Sequence, residues 1–126
     1  MTWGASAPRQ APAVDGSAAP PILLISETYD AATRFPGALQ ARRLFPNSVL
    51  IEGVGGTTHA GSLSGVACTD NRIADYLLTG KLDPRQPGNG SDVTCPPVPP
   101  PDPTSSARSA ASGAAQELRD LRRHAR

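Results

Sequence analysis

The chain has 126 residues and a formal net charge of +1, with 14 prolines, 12 glycines and only 4% aromatic residues. That length allows one small domain, and a charge so near zero leaves no electrostatic footprint for nucleic acid or a membrane surface. No apolar run is long enough for a membrane-spanning helix, and Met1-Thr2-Trp3-Gly4-Ala5 is not the basic-then-apolar opening of a signal peptide.

Residues 1–19 are rich in Ala, Pro, Ser and Gly and predict an extended lead-in. Trp3 is either an exposed aromatic there or one that docks on a partner surface. Pro20-Pro21 punctuates the start of an unbroken apolar run, Ile22, Leu23, Leu24 and Ile25, which predicts a parallel strand buried on both faces. Residues 26–30 read as the loop beyond its carboxyl end. Thr33 is the expected N-cap of a helix over 34–44, with Pro36 in its first turn. Phe35, Ala38, Leu39, Arg42 and Phe45 give that helix one largely apolar face. Pro46-Asn47 stops it, and a second short strand follows over 48–52. Gly53-Val54-Gly55-Gly56-Thr57-Thr58 then brings the backbone close to something or swings a side chain into place, and it delivers His59. A second helix is expected over 69–79, capped by Thr69 and stopped by Gly80, with Ile73, Ala74, Leu77 and Leu78 as its apolar stripe and Tyr76 nearby.

Strand, helix, strand, helix implies an α/β unit with a right-handed crossover in a parallel sheet. Two strands do not make a stable parallel sheet alone, so the unit reads as part of a larger one. Beyond Leu82 order is expected to fade. Residues 83–92 are turn material, Pro96 opens a proline-rich run favouring polyproline II, and 104–115 read as Ser/Ala/Gly linker. Residues 114–126 form at most a short basic helix carrying Leu118, Leu121, Arg119, Arg122, Arg123 and Arg126. The organisation expected is a lead-in over 1–19, an α/β module over 20–97 and a tail over 98–126.

Two residues stand where α/β sheets gather their functional groups, just past the carboxyl ends of strands. Asp30 is either a turn aspartate serving the following helix or an acid in a site. His59 is either a polar loop residue or a base; the other histidine, His124, falls in the tail. Together they suit a charge relay, in which a carboxylate fixes the tautomer of an imidazole and stabilises the imidazolium. In α/β-hydrolases the chain order is nucleophile, acid, histidine, and Asp30 before His59 agrees with the last two. The nucleophile is missing from these residues: Gly61-Ser62-Leu63-Ser64-Gly65 has Leu63 where an elbow needs its serine, follows the histidine, and has no strand directly before it. Cys68 and Cys95 form no CxxC and are joined by no second folded histidine, so no metal site is expected, and no phosphate-binding glycine motif calls for a cofactor.

The block PPILLISETYDAATRFPGALQARRLFPNSVLIEGVGGTTHAG, then Ala67-Cys68, IADYLLTGKLDP and Cys95-Pro96, resembles the C-terminal region of secreted actinobacterial tripeptidyl-aminopeptidase-like serine peptidases, within the α/β-hydrolase superfamily. The resemblance rests on the D-x-x-T turn (Asp30 to Thr33), the Arg43-Leu44-Phe45-Pro46 helix end, the glycine turn from Gly55 to His59, the Tyr76-Leu77-Leu78-Thr79-Gly80 helix end, and the two cysteines. It implies a partial α/β-hydrolase fold with Asp30 as triad acid and His59 as base. It also implies a Cys68–Cys95 disulfide, a secreted setting, and a parent reaction that releases short peptides from free N-termini by acyl transfer to serine. The family's elbow serine, oxyanion hole and signal peptide are not among these residues, and Ala31 and Arg34 stand where proline is frequent in the family.

The leading expectation is a C-terminal hydrolase module that supplies acid and histidine, needs an N-terminal core or partner chain for the nucleophile, and is inactive alone. The alternatives are a catalytically inactive module that docks on a hydrolase partner, and a degenerate reading frame whose product barely folds.

Overall fold

The computed structural model describes residues 12–102; the expectations for Trp3 and for residues 104–126 lie outside them. Five elements follow in the order β1 (Ile22–Glu27), α1 (Phe35–Leu44), β2 (Ser48–Gly53), α2 (Ala67–Thr79) and β3 (Val93–Cys95). The sheet is wholly parallel and ordered β1-β2-β3. It is the α/β arrangement expected, with one strand more than the sequence revealed.

The middle strand is the core. Val49, Leu50 and Ile51 are buried, joined by Ile73 of α2 and by Cys95. Each such side chain contributes about 1.5–3 kcal/mol by leaving water. The expectation that Ile22 to Ile25 are buried on both faces is corrected: these side chains are only half-buried, because β1 is an edge of the sheet. The strand also runs on to Glu27, taking Ser26 and Glu27 out of the expected loop. Within the described part of the lead-in, Gly16 N–H donates to Leu44 O at 3.0 Å, and a Cβ on Gly16 would collide with the Phe45 ring.

Helix α1 packs on β1 and β2 and has Pro36 in its first turn as expected, but Thr33 is not its cap. Arg34 holds that position with no side-chain cap bond. Likewise α2 begins at Ala67, two residues earlier than expected, and its cap position is held by Val66 rather than Thr69. Asp70 in its first turn, suited to the positive end of the helix dipole, accepts the Gly65 N–H at 2.8 Å. Gly80 ends α2 in the left-handed region at φ 69°. Of the apolar stripe expected on α2 only Ile73 is buried; Leu77 and Leu78 are 73% and 83% exposed.

Order does not fade at Leu82. Arg42, on the face of α1 that reads as apolar, is 1% exposed, and its guanidinium reaches the segment before β3. It grips Asp92 with two nitrogens, Nε to Oδ2 at 2.8 Å and Nη2 to Oδ1 at 2.5 Å. Nη2 also donates to the Gln86 carbonyl, and Nη1 to that of Gly88. Asp92 in turn accepts the Leu50 and Gln86 N–H groups. Burial opposes its charge, but these hydrogen bonds outweigh it and hold the carboxyl below the usual range. Arg85 adds hydrogen bonds to the carbonyls of Ser48 and Arg42. This network carries residues 85–92 along β2 and lets Val93, Thr94 and Cys95 pair with Ile51, Glu52 and Gly53. A disulfide, Cys68–Cys95, then ties the end of β3 to the first turn of α2.

Removing one partner of a buried ion pair leaves the other uncompensated. Arg42→Ala is therefore expected to lower the unfolding free energy by about 3–5 kcal/mol. Arg42→Lys should recover little, because an ammonium cannot repeat the two-pronged contact. Urea midpoints followed by circular dichroism check this, and a parent-like midpoint for Arg42→Ala would show that the network is dispensable. Replacing both cysteines by serine should cost about 3–4 kcal/mol on the chain-entropy account, read as a lowered melting temperature that reductant reproduces in the parent and not in the variant.

Candidate active site

The parallel register sets Glu27 beside Gly53, so β1 and β2 end level. Their outgoing loops are then stitched together. Thr28 N–H donates to Gly53 O at 3.1 Å, Tyr29 N–H to Gly56 O at 2.8 Å, and Gly55 N–H to Thr28 Oγ1 at 2.9 Å. These bonds hold the acid turn and the glycine loop as one unit.

Asp30 lies in that unit with its side chain 3% exposed. Its Oδ1 accepts the N–H groups of Ala32 and Thr33 at 2.8 and 3.0 Å, closing a local turn. Its Oδ2 accepts the Thr33 hydroxyl at 2.8 Å and faces His59 Nδ1 at 2.9 Å. Asp30 thus divides its carboxylate: one oxygen builds the turn and the other meets the histidine. Thr33, expected as a helix cap, is instead a side-chain partner of the acid, and the D-x-x-T spacing is the signal for it. The hydrogen bond from His59, then the Thr33 amide, hold the Asp30 carboxyl well below the usual carboxylate range despite its burial.

An ionised Asp30 fixes the proton of His59 on Nδ1 and leaves Nε2 as the basic nitrogen. The imidazole is 56% exposed, so a buried carboxylate stands behind an accessible imidazole. Ala60, directly after His59, takes a left-handed conformation at φ 55°, which turns the chain sharply away. Such a conformation in a residue with a side chain costs of order 1 kcal/mol and collects at functional sites.

The sequence-expected pair Asp30 and His59 is brought together; a nucleophile is not. Leu63, at the centre of the elbow-like stretch, is 70% exposed at φ 56°, and the Ser64 hydroxyl turns to the Ser62 carbonyl. Among the described residues no serine hydroxyl bonds to His59, and no group of three or more His, Cys, Asp or Glu side chains gathers as a metal site would require.

Sequence reasoning placed Glu27 in a loop and gave it no role. It is 4% exposed and lies under the glycine loop, where its carboxylate accepts the N–H groups of Thr58 and Val98. The glycines were the available signal. A Cβ on Gly53 would come within 2.9 Å of Glu27 Cγ, and one on Gly56 within 2.3 Å of Cδ.

The chain was compared with known proteins. The family model described as TAP-like protein matches residues 1–95. The tripeptidyl aminopeptidases of Streptomyces lividans and Streptomyces coelicolor are each 35% identical to it over 82 residues, which is 65% of this chain and 14% of theirs. The chain therefore spans only a small part of the length of these curated relatives. No solved structure matches it significantly. A family match over most of the residues, on a parallel α/β sheet with an aspartate and a histidine joined at its carboxyl edge, identifies the chain as a member of the TAP-like family of α/β-hydrolases.

Proposed function

We propose that this chain supplies the acid and the base of a serine-peptidase site that releases short peptides from N-termini. Asp30 serves as acid and His59 as base, and the nucleophile comes from a hydrolase core outside these residues. The observation that carries the reading is the 2.9 Å contact between a buried, ionised Asp30 and Nδ1 of an exposed His59. In the reaction, His59 Nε2 takes the proton of the attacking hydroxyl and later delivers it to the leaving amine. Asp30 holds the ring and stabilises the imidazolium without itself taking the proton.

Two surfaces support assembly with such a core. Among the described residues β1 pairs only with β2, so its other edge keeps an unpaired row of backbone groups able to receive a strand. Leu77 and Leu78 leave an apolar face of α2 exposed, as large side chains do where a partner covers them. The disulfide suits an oxidising compartment, in keeping with a secreted enzyme.

The test is complementation with the N-terminal core of a TAP-like relative on a chromogenic tripeptidyl substrate. Neither part alone should turn over, and the mixture should. His59→Ala should lower the rate of the mixture about 10²–10⁴-fold, and Asp30→Asn about 10⁴-fold by releasing the wrong tautomer. Equal activity with His59→Ala would refute the assignment of the base. A stable complex that never turns over would favour the alternative of an inactive docking module.

A pH dependence follows from Asp30. Its folded carboxyl titrates below its unfolded one, so its contribution to stability is complete above the ordinary Asp value of about 3.9 and is lost as pH falls through the folded value. Asp30→Asn is therefore expected to lower stability at neutral pH and to flatten the acid limb of a plot of stability against pH, measured by urea unfolding. An unchanged acid limb would show that the pairing adds nothing to the folded state.

A further inference from the structure

The glycine loop that carries His59 has no regular hydrogen-bonded structure of its own between β2 and α2, yet it holds an imidazole against Asp30. Something must fix its far side. The stitching between the strand ends reaches only as far as Gly56. Among the described residues, the backbone from Thr57 to His59 is anchored by one side chain, Glu27. Its Oε2 accepts the Thr58 N–H, the amide immediately before His59. Its Oε1 accepts the Val98 N–H at 2.7 Å from the segment that follows β3. That segment is itself fixed at the end of β3 by Cys95 and its disulfide, and Val54 N–H donates to Cys95 O at 3.0 Å.

The packing is as specific as the hydrogen bonds. Gly53 and Gly56 lack side chains where the Glu27 stem and carboxyl run. A Cβ on Gly61, just past His59, would sit 3.1 Å from Val98 and 3.7 Å from Glu27 Oε1. One carboxylate thus lies at the meeting point of the first strand, the histidine loop and the chain beyond the third strand. Hydrogen bonds from two backbone N–H groups satisfy both oxygens of a carboxyl that would be costly to bury without partners. A neutral amide in its place would present a donor to one of those N–H groups.

We propose that Glu27 is the positioning residue for His59: its carboxylate, bound to the Thr58 and Val98 amides, sets the histidine loop at the height where Nδ1 meets Asp30. This rests on the reading of His59 and Asp30 as base and acid. It adds that the proline-rich segment after β3 is part of the site's frame through Val98. Glu27 touches no reacting atom in this scheme and acts through the loop alone.

The test uses the full isotopically labelled chain and reads the pair directly by NMR. In the parent, the His59 ring nitrogens should report the Nδ1–H tautomer with a hydrogen-bonded ring proton, and Asp30→Asn should abolish that signature. Glu27→Gln should abolish it too, and should raise the titration of Asp30 by at least about 1 pH unit, since the bond from His59 is lost. The amide spectrum of β2 and α1 should stay in place. If Asp30→Asn leaves the ring signals unchanged, the acid–base reading fails and takes this inference with it. If the signature is present in the parent and survives Glu27→Gln, the inference fails alone. Should Glu27→Gln unfold, amide exchange in the parent decides: Thr58 and Val98 protected to the level of β2 amides support the clamp, and exchange at the rate of the exposed Gly88 to Gly90 turn overturns it.

Discussion

The constraint on which the rest depends is the register of one parallel strand pair. With Glu27 opposite Gly53, β1 and β2 leave the sheet at the same height and on the same edge. A slip of one residue would turn every side chain of β1 to the other face. Glu27 would leave its place under the glycine loop, and the bonds from Thr28 and Tyr29 to Gly53 and Gly56 would lose their partners. The contact between Asp30 and His59 spans |i−j| = 29 in sequence but only neighbouring loops in space, and it exists because two apolar runs align end to end.

A core of five buried apolar residues among those described is small for fixing such a register alone. The chain also uses buried polar side chains, at two ends of the same strand. At the entry and middle of β2, Arg42 and Asp92 clamp Leu50 and the approach to β3. At its exit, Glu27 clamps the histidine loop. A buried ion pair adds little net stability compared with well-packed apolar residues, but losing one member is severe. Arrangements of that kind discriminate between one geometry and its near misses, which is the requirement for a site in which an error of about 1 Å is costly.

The legibility of the sequence follows from the range of the interactions. Strands β1 and β2, helices α1 and α2, the Gly80 stop and the Asp30 and His59 positions depend on local pattern, and all were readable. Strand β3 was not, because Val93, Thr94 and Cys95 carry no pattern of their own; the segment before them is held by Arg42, at |i−j| = 50 from Asp92, and their end by the disulfide. Arg42 shows why periodicity misled: its position on the buried face was right, and its chemistry was not apolar. Thr33 and Thr69 read as caps because hydroxyls favour helix starts, but Thr33 is drawn to the Asp30 carboxylate and α2 has Val66 at its cap position. Leu77 and Leu78 satisfied helical spacing yet stay exposed, since a stripe reveals which side seeks cover and not whether these residues provide it. Glu27 was hidden because a carboxylate at a strand end reads as solvent-facing, although Gly53 and Gly56, where a Cβ would collide with it, stood in the sequence.

The division of exposure within the pair bears on how such a site can be assembled. Asp30 is enclosed by its own turn, with both oxygens occupied by Ala32, Thr33 and His59, whereas the imidazole stands in the open. On the reading proposed here, the acid needs nothing from a partner core, and the base needs only a hydroxyl brought to Nε2. Ordering loops at the moment of association weakens binding. An acid–base pair already stitched to the sheet avoids that cost, and the interface then has to align one apolar helix face and one strand edge. The same logic locates the sensitivity of the site. Disturbing the exposed face of α2 should weaken assembly while leaving the pair intact, whereas disturbing the glycine loop should spoil the pair within a module that still docks.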